Sequence, residues 1–547
     1  MIRIGAGLFI GIFLLSAGQV YMQSPTEPRT RAEKSGFEET SRYSEVIEFF
    51  AQLEKNSPLI RSETFGKSNE GRDLPLYVIS DPPVSTPQEA RLLKRPIIFV
   101  MANIHGGEVE GKEATQHLAR RLLFGDLKAL TKKLTILIAP IYNADGNEKI
   151  SMENRVAQNG PIGGVGVREN AQRLDLNRDY IKLDSPEARG LVGLFGRWDP
   201  YLTVDLHTTN GSYHAYHLTY SQPLNPNTDQ RILDFQRNTM MPVIAGQMLK
   251  KHNFRTYYYG NFRNFANRLT PGEKPVWEAF THQPRIGQNY IGLRNRLTIL
   301  SEAYSYLSFK RRVEVTERFV EEILNFSAAN ATQITRLLKA ADADTVRTLS
   351  SNKPVQYGVK FKIAALPKPV NILVGDVEKV KNPRSGKEMT AMIEDTVTPV
   401  LMEDLGMFEA TQSARVPIVY LFKPDKAVIE KLQQHGITVE ELTSEVVAEV
   451  ESFQIEKVEK ANRAFQGHNL VSISGSIKTE TITFPPGTVI VRTAQPLGRL
   501  VFYLLEPESD DGLTTWNFFD PSLDAGKTFP VYKLNKKIKV PGRILPN

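Results

Sequence analysis

The chain has 547 residues, 41% of them apolar, enough for about two to four domains with buried cores. It contains no cysteine, which excludes disulfides, thiolate metal sites, iron–sulfur clusters and cysteine nucleophiles, so any metal must be held by carboxylates and the nine histidines. Sixty-eight Lys and Arg against 61 Asp and Glu leave a net charge of +7, with no basic stripe interleaved with aromatics, so nucleic acid is not an expected partner.

In chain order, residues 1–23 read as an export signal. Arg3 precedes an uncharged apolar run over 4–15, and Ser16, Ala17 and Gly18 offer a small-residue cleavage site. The run is short for a membrane span, and the alternative is an uncleaved anchor. A cleaved signal implies a secreted or periplasmic protein without stable membrane insertion. Residues 24–42 are polar and read as a linker. Val46, Ile47, Phe50 and Leu53 then share one helical face. Residues 96–102 (PIIFVMA) and 134–139 (LTILIA) are apolar almost throughout, as strands covered on both faces are. Between them, 112–123 returns to helical spacing through Ala114, Leu118 and Leu122. Residues 201–206 and 297–300 add two buried strands, and 313–326 and 334–349 read as closing helices. This alternation predicts an α/β unit over 43–350 with a parallel or mixed sheet covered on both faces. Beyond Ser350 the pattern turns strand-like, at 359–363, 370–374, 416–422, 450–455, 471–477, 481–484, 488–491 and 500–505. One amphipathic helix over 426–435 stops at Gly436. These segments predict a small α+β domain over 351–445 and a β-rich domain over 446–547.

The chemistry gathers where apolar strands end, which is where open α/β sheets bind ligands. The strand closing at Ala102 runs into His105-Gly106-Gly107-Glu108, and another closes in Asp205-Leu206-His207. Two histidines and one carboxylate form the donor set of a catalytic zinc with one position open. A third strand ends in Ser301-Glu302, placing a carboxylate where a general base is needed; the alternative for Glu302 is a solvated strand end. Between the histidines lies Asp175-Leu176-Asn177-Arg178-Asp179. The planar fork of Arg178 with an Asn177 donor suits a substrate's terminal carboxylate, and Asp175 suits the far side of a ligating imidazole. The alternative for Arg178 and Asp179 is a surface ion pair.

Read together, these residues resemble the carboxypeptidase A-like family of zinc metallopeptidases over about residues 43–330. Gly66-Lys67-Ser68-Asn69-Glu70-Gly71-Arg72 is similar to the family's G-x-S-x-E-G-R segment. His105, Glu108 and His207 match its zinc ligands, Asn177 and Arg178 its carboxylate-binding pair, Asp175 the aspartate behind a zinc histidine, and Glu302 the general base. The resemblance implies a three-layer α/β/α sandwich around a mixed eight-stranded sheet, one Zn2+ per chain, and removal of the last residue from a peptide or protein C-terminus. It also implies an arginine that stabilises the tetrahedral oxyanion, here Arg155, with Arg168 and Arg173 as competitors. The family's capping tyrosine falls at Phe280 in this chain, and Tyr290 is the nearest downstream candidate. Arg285 and Arg294 lie in the segment that shapes the specificity pocket, where an arginine favours acidic side chains. The rival readings are an amidase or peptidase acting on N-acyl amino acids or cell-wall peptides, and a non-catalytic binding protein on the same scaffold.

Overall fold

A computed structural model describes residues 27–546; the expected export signal lies outside them. The sheet opens with β1 (Ile60–Lys67) and β2 (Asp73–Ile79), which no apolar run marks; the runs at 96–102, 134–139 and 201–206 become β3 (Ile97–Ala102), β4 (Thr135–Ala139) and β5 (Leu202–Thr209), and β6 (Leu218–Ser221) and β7 (Thr256–Tyr258) follow. After a short strand β8 (Val276–Glu278) comes β9 (Leu297–Tyr304). All but β8 form one eight-stranded mixed sheet, ordered β1-β2-β4-β3-β5-β9-β6-β7. Its centre, β4-β3-β5-β9, is parallel, and antiparallel pairs bound it at β2–β4 and β9–β6.

Alternate side chains of each strand serve opposite faces. Ile98, Val100, Ile136, Ile138, Val204 and Ile299 meet the helices Tyr43–Asn56, Glu110–Phe124, Met241–His252 and Phe309–Ala329. Phe99, Met101, Leu137 and Ala139 meet the helices Pro186–Trp198 and Gly287–Leu293. The result is a three-layer α/β/α sandwich, as the alternation of buried strands and helices requires. Residues 27–42 are not a free linker. Arg120 holds Glu33, and the Glu113 carboxylate accepts from Thr40 Oγ1 and Ser41 N, binding the segment to the helix Glu110–Phe124.

The β-rich region follows the helix Ala331–Leu349. Strands β10 (Gln356–Ala364) and β13 (Met407–Arg415) pair with each other, and the hairpin of β11 (Val370–Lys381) and β12 (Glu388–Leu405) takes β8 as its third strand. A seven-stranded sheet contains β14 (Val419–Phe422), β15 (Glu440–Leu442), β16 (Val446–Lys460), β17 (Val471–Phe484), β18 (Val489–Arg492), β19 (Val531–Leu534) and β20 (Gly542–Ile544). Strands β14 and β15 precede residue 445 but pair with β18, β19 and β20 beyond it, so one sheet crosses the boundary expected there. The segment 500–505, expected as a strand, is part of the helix Gly498–Leu505, with Leu500 to Leu505 all buried. An apolar run covered on every side carries no period that separates strand from helix.

Candidate metal centre and substrate cleft

Strand β3 leads into the metal loop through Asn103, which takes the left-handed conformation (φ 61°). The turn therefore rests on Asn103, whose short amide tolerates that region and donates to the carbonyls of His105 and Glu108. Gly106 and Gly107 serve close approach instead. A Cβ on Gly106 would lie 2.4 Å from the Gly146 carbonyl carbon, and one on Gly107 would lie 2.7 Å from Arg155 Cδ.

Three donors converge here. His105 Nδ1 lies 3.0 Å from Glu108 Oε1, and His207 Nδ1 lies 3.1 Å from Glu108 Oε2. All three residues are buried, and a ligand atom from each lies within 4.8 Å of the others. The far side of each imidazole meets an aspartate: His105 Nε2 is 3.0 Å from Asp175 Oδ1, and His207 Nε2 is 2.9 Å from Asp205 Oδ2. The hydrogen bond to Asp175 orients His105 with Nδ1 toward the centre, the support that metal-ligating histidines need, and Asp205 places a carboxylate behind His207. Two imidazoles and a carboxylate so arranged fit Zn2+. Asp205 had no assigned role in the sequence; its signal is the i, i+2 spacing to His207, which puts both on one face of β5.

The charges agree with this design. Burial raises the Glu108 carboxyl, but His105 and Arg155 hold it well below the usual carboxylate range. Asp175 is likewise held low, against its burial, by His105, Arg168 and Arg178. Glu302 differs. It is the register partner of His207, and its Oε2 is buried without a hydrogen-bond partner. Burial, opposed by His207 and reinforced by Glu108, pushes its pKa up to about 8 in the metal-free protein.

A cavity of about 150 Å3 opens on these residues and is also lined by Arg155, Arg168, Asn177, Arg178, Ser221, Tyr259, Phe280, Gln288 and Leu300. Asn177 Oδ1 accepts from Gly287 N, which leaves its amide donors for the cavity. Arg178 lies with its guanidinium carbon 5.1 Å from the Phe280 ring centre. Arg155 spends its two terminal nitrogens on Glu108 Oε1 (2.9 Å) and the Thr208 carbonyl (3.1 Å). Arg168 is anchored on Asp175 through Nε and one terminal nitrogen, and its other terminal nitrogen sits 3.4 Å from His105 Nδ1.

Two expected substrate contacts are corrected. Tyr290 is fully buried on the helix Gly287–Leu293. His435 Nε2 faces the Ile181 carbonyl at 3.0 Å, so its Nδ1 accepts the Tyr290 hydroxyl at 2.9 Å. Arg285 donates through Nε to Asp511 Oδ1 at 2.8 Å and stacks on Trp516, so neither residue faces the cavity. Arg294 is also committed, to the His435 carbonyl. The partners of all three lie in the β-rich region, more than a hundred residues away, so no local spacing could reveal them. Tyr259, which does line the cavity, sits just past β7 and carries no motif.

Residues 46–190 match the profile of the zinc carboxypeptidases. The carboxypeptidase 2 of Trichophyton rubrum is 22% identical over 557 aligned positions, covering 94% of this chain and 91% of its own. The carboxypeptidase Z of Mus musculus is 35% identical over a shorter stretch, 24% of this chain and 19% of its own. Among solved structures, the carboxypeptidase A of Helicoverpa armigera covers 54% of this chain and 75% of its own, with 17% identity and a TM-score of 0.39. Residues 46–190 are thus similar to the zinc carboxypeptidases, and the likeness to carboxypeptidase 2 extends along most of the chain.

Proposed function

We propose that the chain is an exported metallocarboxypeptidase that binds one Zn2+ through His105, Glu108 and His207 and releases the C-terminal residue of a peptide. The observation that carries this reading is the juxtaposition of three converging buried donors with an unpartnered carboxylate, Glu302, on the neighbouring strand. Zinc bound there supplies a water of lowered pKa and polarises the scissile carbonyl. The chain's own groups do the rest. Arg178 and Asn177 take the terminal carboxylate and set the last peptide bond against the donors. Glu302 accepts the water's proton and returns it to the departing amine. Arg155 and Arg168 flank the centre where oxyanion charge develops, and Arg168, already tethered through Asp175, keeps one nitrogen beside His105.

The cavity beside Arg178 favours a neutral side chain. Ser221, Leu300, Phe280 and Gln288 carry no charge, and Gln288 Oε1 is buried without a partner. A lysine or glutamate placed there would lose its hydration with nothing to replace it. With Arg285 held by Asp511, the preference for acidic side chains has no physical basis.

The test uses zinc-loaded protein and peptides that differ only at the last residue: Gln, Leu, Lys and Glu, each free and amidated. Release of single residues from free termini is expected, with kcat/KM for Gln and Leu above that for Lys and Glu, and amidation should lower it by about 100-fold. Equal cleavage of amidated peptides would remove Arg178 from its role. Cleavage of acyl-amino acids or cell-wall peptides in place of these substrates would favour the rival readings.

A further inference from the structure

The β-rich region sends one tight turn toward the metal centre. Phe465 and His468 exchange backbone hydrogen bonds, N to O at 2.8 and 3.1 Å, around Gln466 and Gly467. Both central residues have positive φ, 52° and 84°, the geometry of a two-residue turn with left-handed centres. Asn, Asp or Gly is the common occupant of the first central position, because a longer side chain gains nothing locally and costs about 1 kcal/mol or more of backbone strain. Gln466 uses its extra length. Its Oε1 accepts from the backbone N–H of Asp175 at 2.7 Å.

The turn is fastened on both sides. His468 Nε2 lies 2.8 Å from Asp184 Oδ2, and its Nδ1 lies 2.9 Å from Asn517 Oδ1. Phe465 packs beside Trp516 and over the Arg285 guanidinium. The amide of Gln466 is thus presented from a fixed platform. Asp175, in turn, faces His105 Nε2 through Oδ1, accepts Asn177 N at the same oxygen, and anchors Arg168 through Oδ2. The peptide that Gln466 holds therefore carries the carboxylate behind one metal ligand, the anchor of an arginine at the centre, and the start of the Asn177-Arg178 turn.

We propose that Gln466 is a positioning residue for the metal centre, and that the β-rich region completes the active site through it. This inference rests on the metallocarboxypeptidase reading for the role of the centre, but its main measurement does not depend on turnover.

The experiment compares full-length wild type, Gln466→Ala and Gln466→Asn. Asn suits the turn's backbone and keeps the amide, but is one methylene too short to reach Asp175. The readouts are zinc affinity by chelator competition, Tm of the metal-free protein, and kcat and KM on a peptide with a free C-terminus. Both variants should bind zinc up to about tenfold more weakly, the low end of what supports of ligating histidines contribute. The Asn variant should match or exceed the wild-type Tm, and kcat should fall more than KM rises. Wild-type zinc affinity in both variants overturns the proposal, as does a loss that appears only together with a lower metal-free Tm. If wild type binds zinc but cleaves none of the peptides, the carboxypeptidase reading fails, while the affinity comparison still decides the role of Gln466.

Discussion

Glu302 and His207 are neighbours in register on β9 and β5, so their side chains leave the same face of the sheet side by side. The carboxyl is buried, has an unpartnered oxygen, and titrates well above an ordinary glutamate before metal binds. A cation in the centre beside it would lower that value and leave the carboxylate ionised, free to accept a proton. Glu302→Gln keeps the shape and removes the base, so it should lower kcat by about 100-fold or more while zinc affinity stays within a few-fold of wild type. Turnover and chelator competition on the same preparation check this, and an active glutamine variant would dismiss Glu302 as the base. These residues were legible in the sequence for a physical reason: each follows a mostly apolar, buried run and lies two residues from its strand's end, near the sheet's carboxyl edge. Tyr290 and Arg285 were not legible as structural residues, because what they bond, His435 and Asp511, arrives from another part of the chain.

At the scale of elements, continuous apolar strands and several one-face helices were readable, while β1, β2 and the buried helix Gly498–Leu505 were not. Strand β1 alternates burial too weakly to stand out, β2 is buried but carries Pro75 within its run, and the helix is covered all round. The turn at Gln466 shows how one element depends on another through a titratable contact. The hydrogen bond to Asp184, and the charge behind it, raise His468 above the ordinary histidine value of 6.5, against burial and the nearby Lys182. A histidine raised in the folded state contributes stability that is full below pH 6.5 and is lost as pH rises through its folded value. Wild type should therefore exceed His468→Gln in Tm at pH 6 by more than at pH 8.5, measured at fixed ionic strength. A difference that is constant or grows with pH would mean that the contact does not carry the charge assigned to it.

For the molecule as a whole, the decisive feature is that the sandwich and the β-rich region share one continuous apolar cluster. It runs from Phe99, Phe195 and Tyr290 to Leu432, Tyr503 and Trp516. The helix Lys426–Gln434 packs on Pro186–Trp198, and Gly498–Leu505 packs on Gly287–Leu293, the helix that presents Gln288 and whose first residue bonds Asn177. A chain ending at Ser350 would keep every metal donor, yet would expose this face and leave Arg285 without Asp511. Each large apolar side chain returned to water costs about 1.5–3 kcal/mol, and a few of them exhaust the roughly 5–15 kcal/mol by which a domain is stable. The truncated chain should therefore show no cooperative thermal transition, bind apolar dyes and hydrolyse no peptide even with zinc in excess. A cooperative transition with retained cleavage of free C-termini would show instead that 43–350 is a self-sufficient domain, and that the shared cluster contributes less than its burial implies.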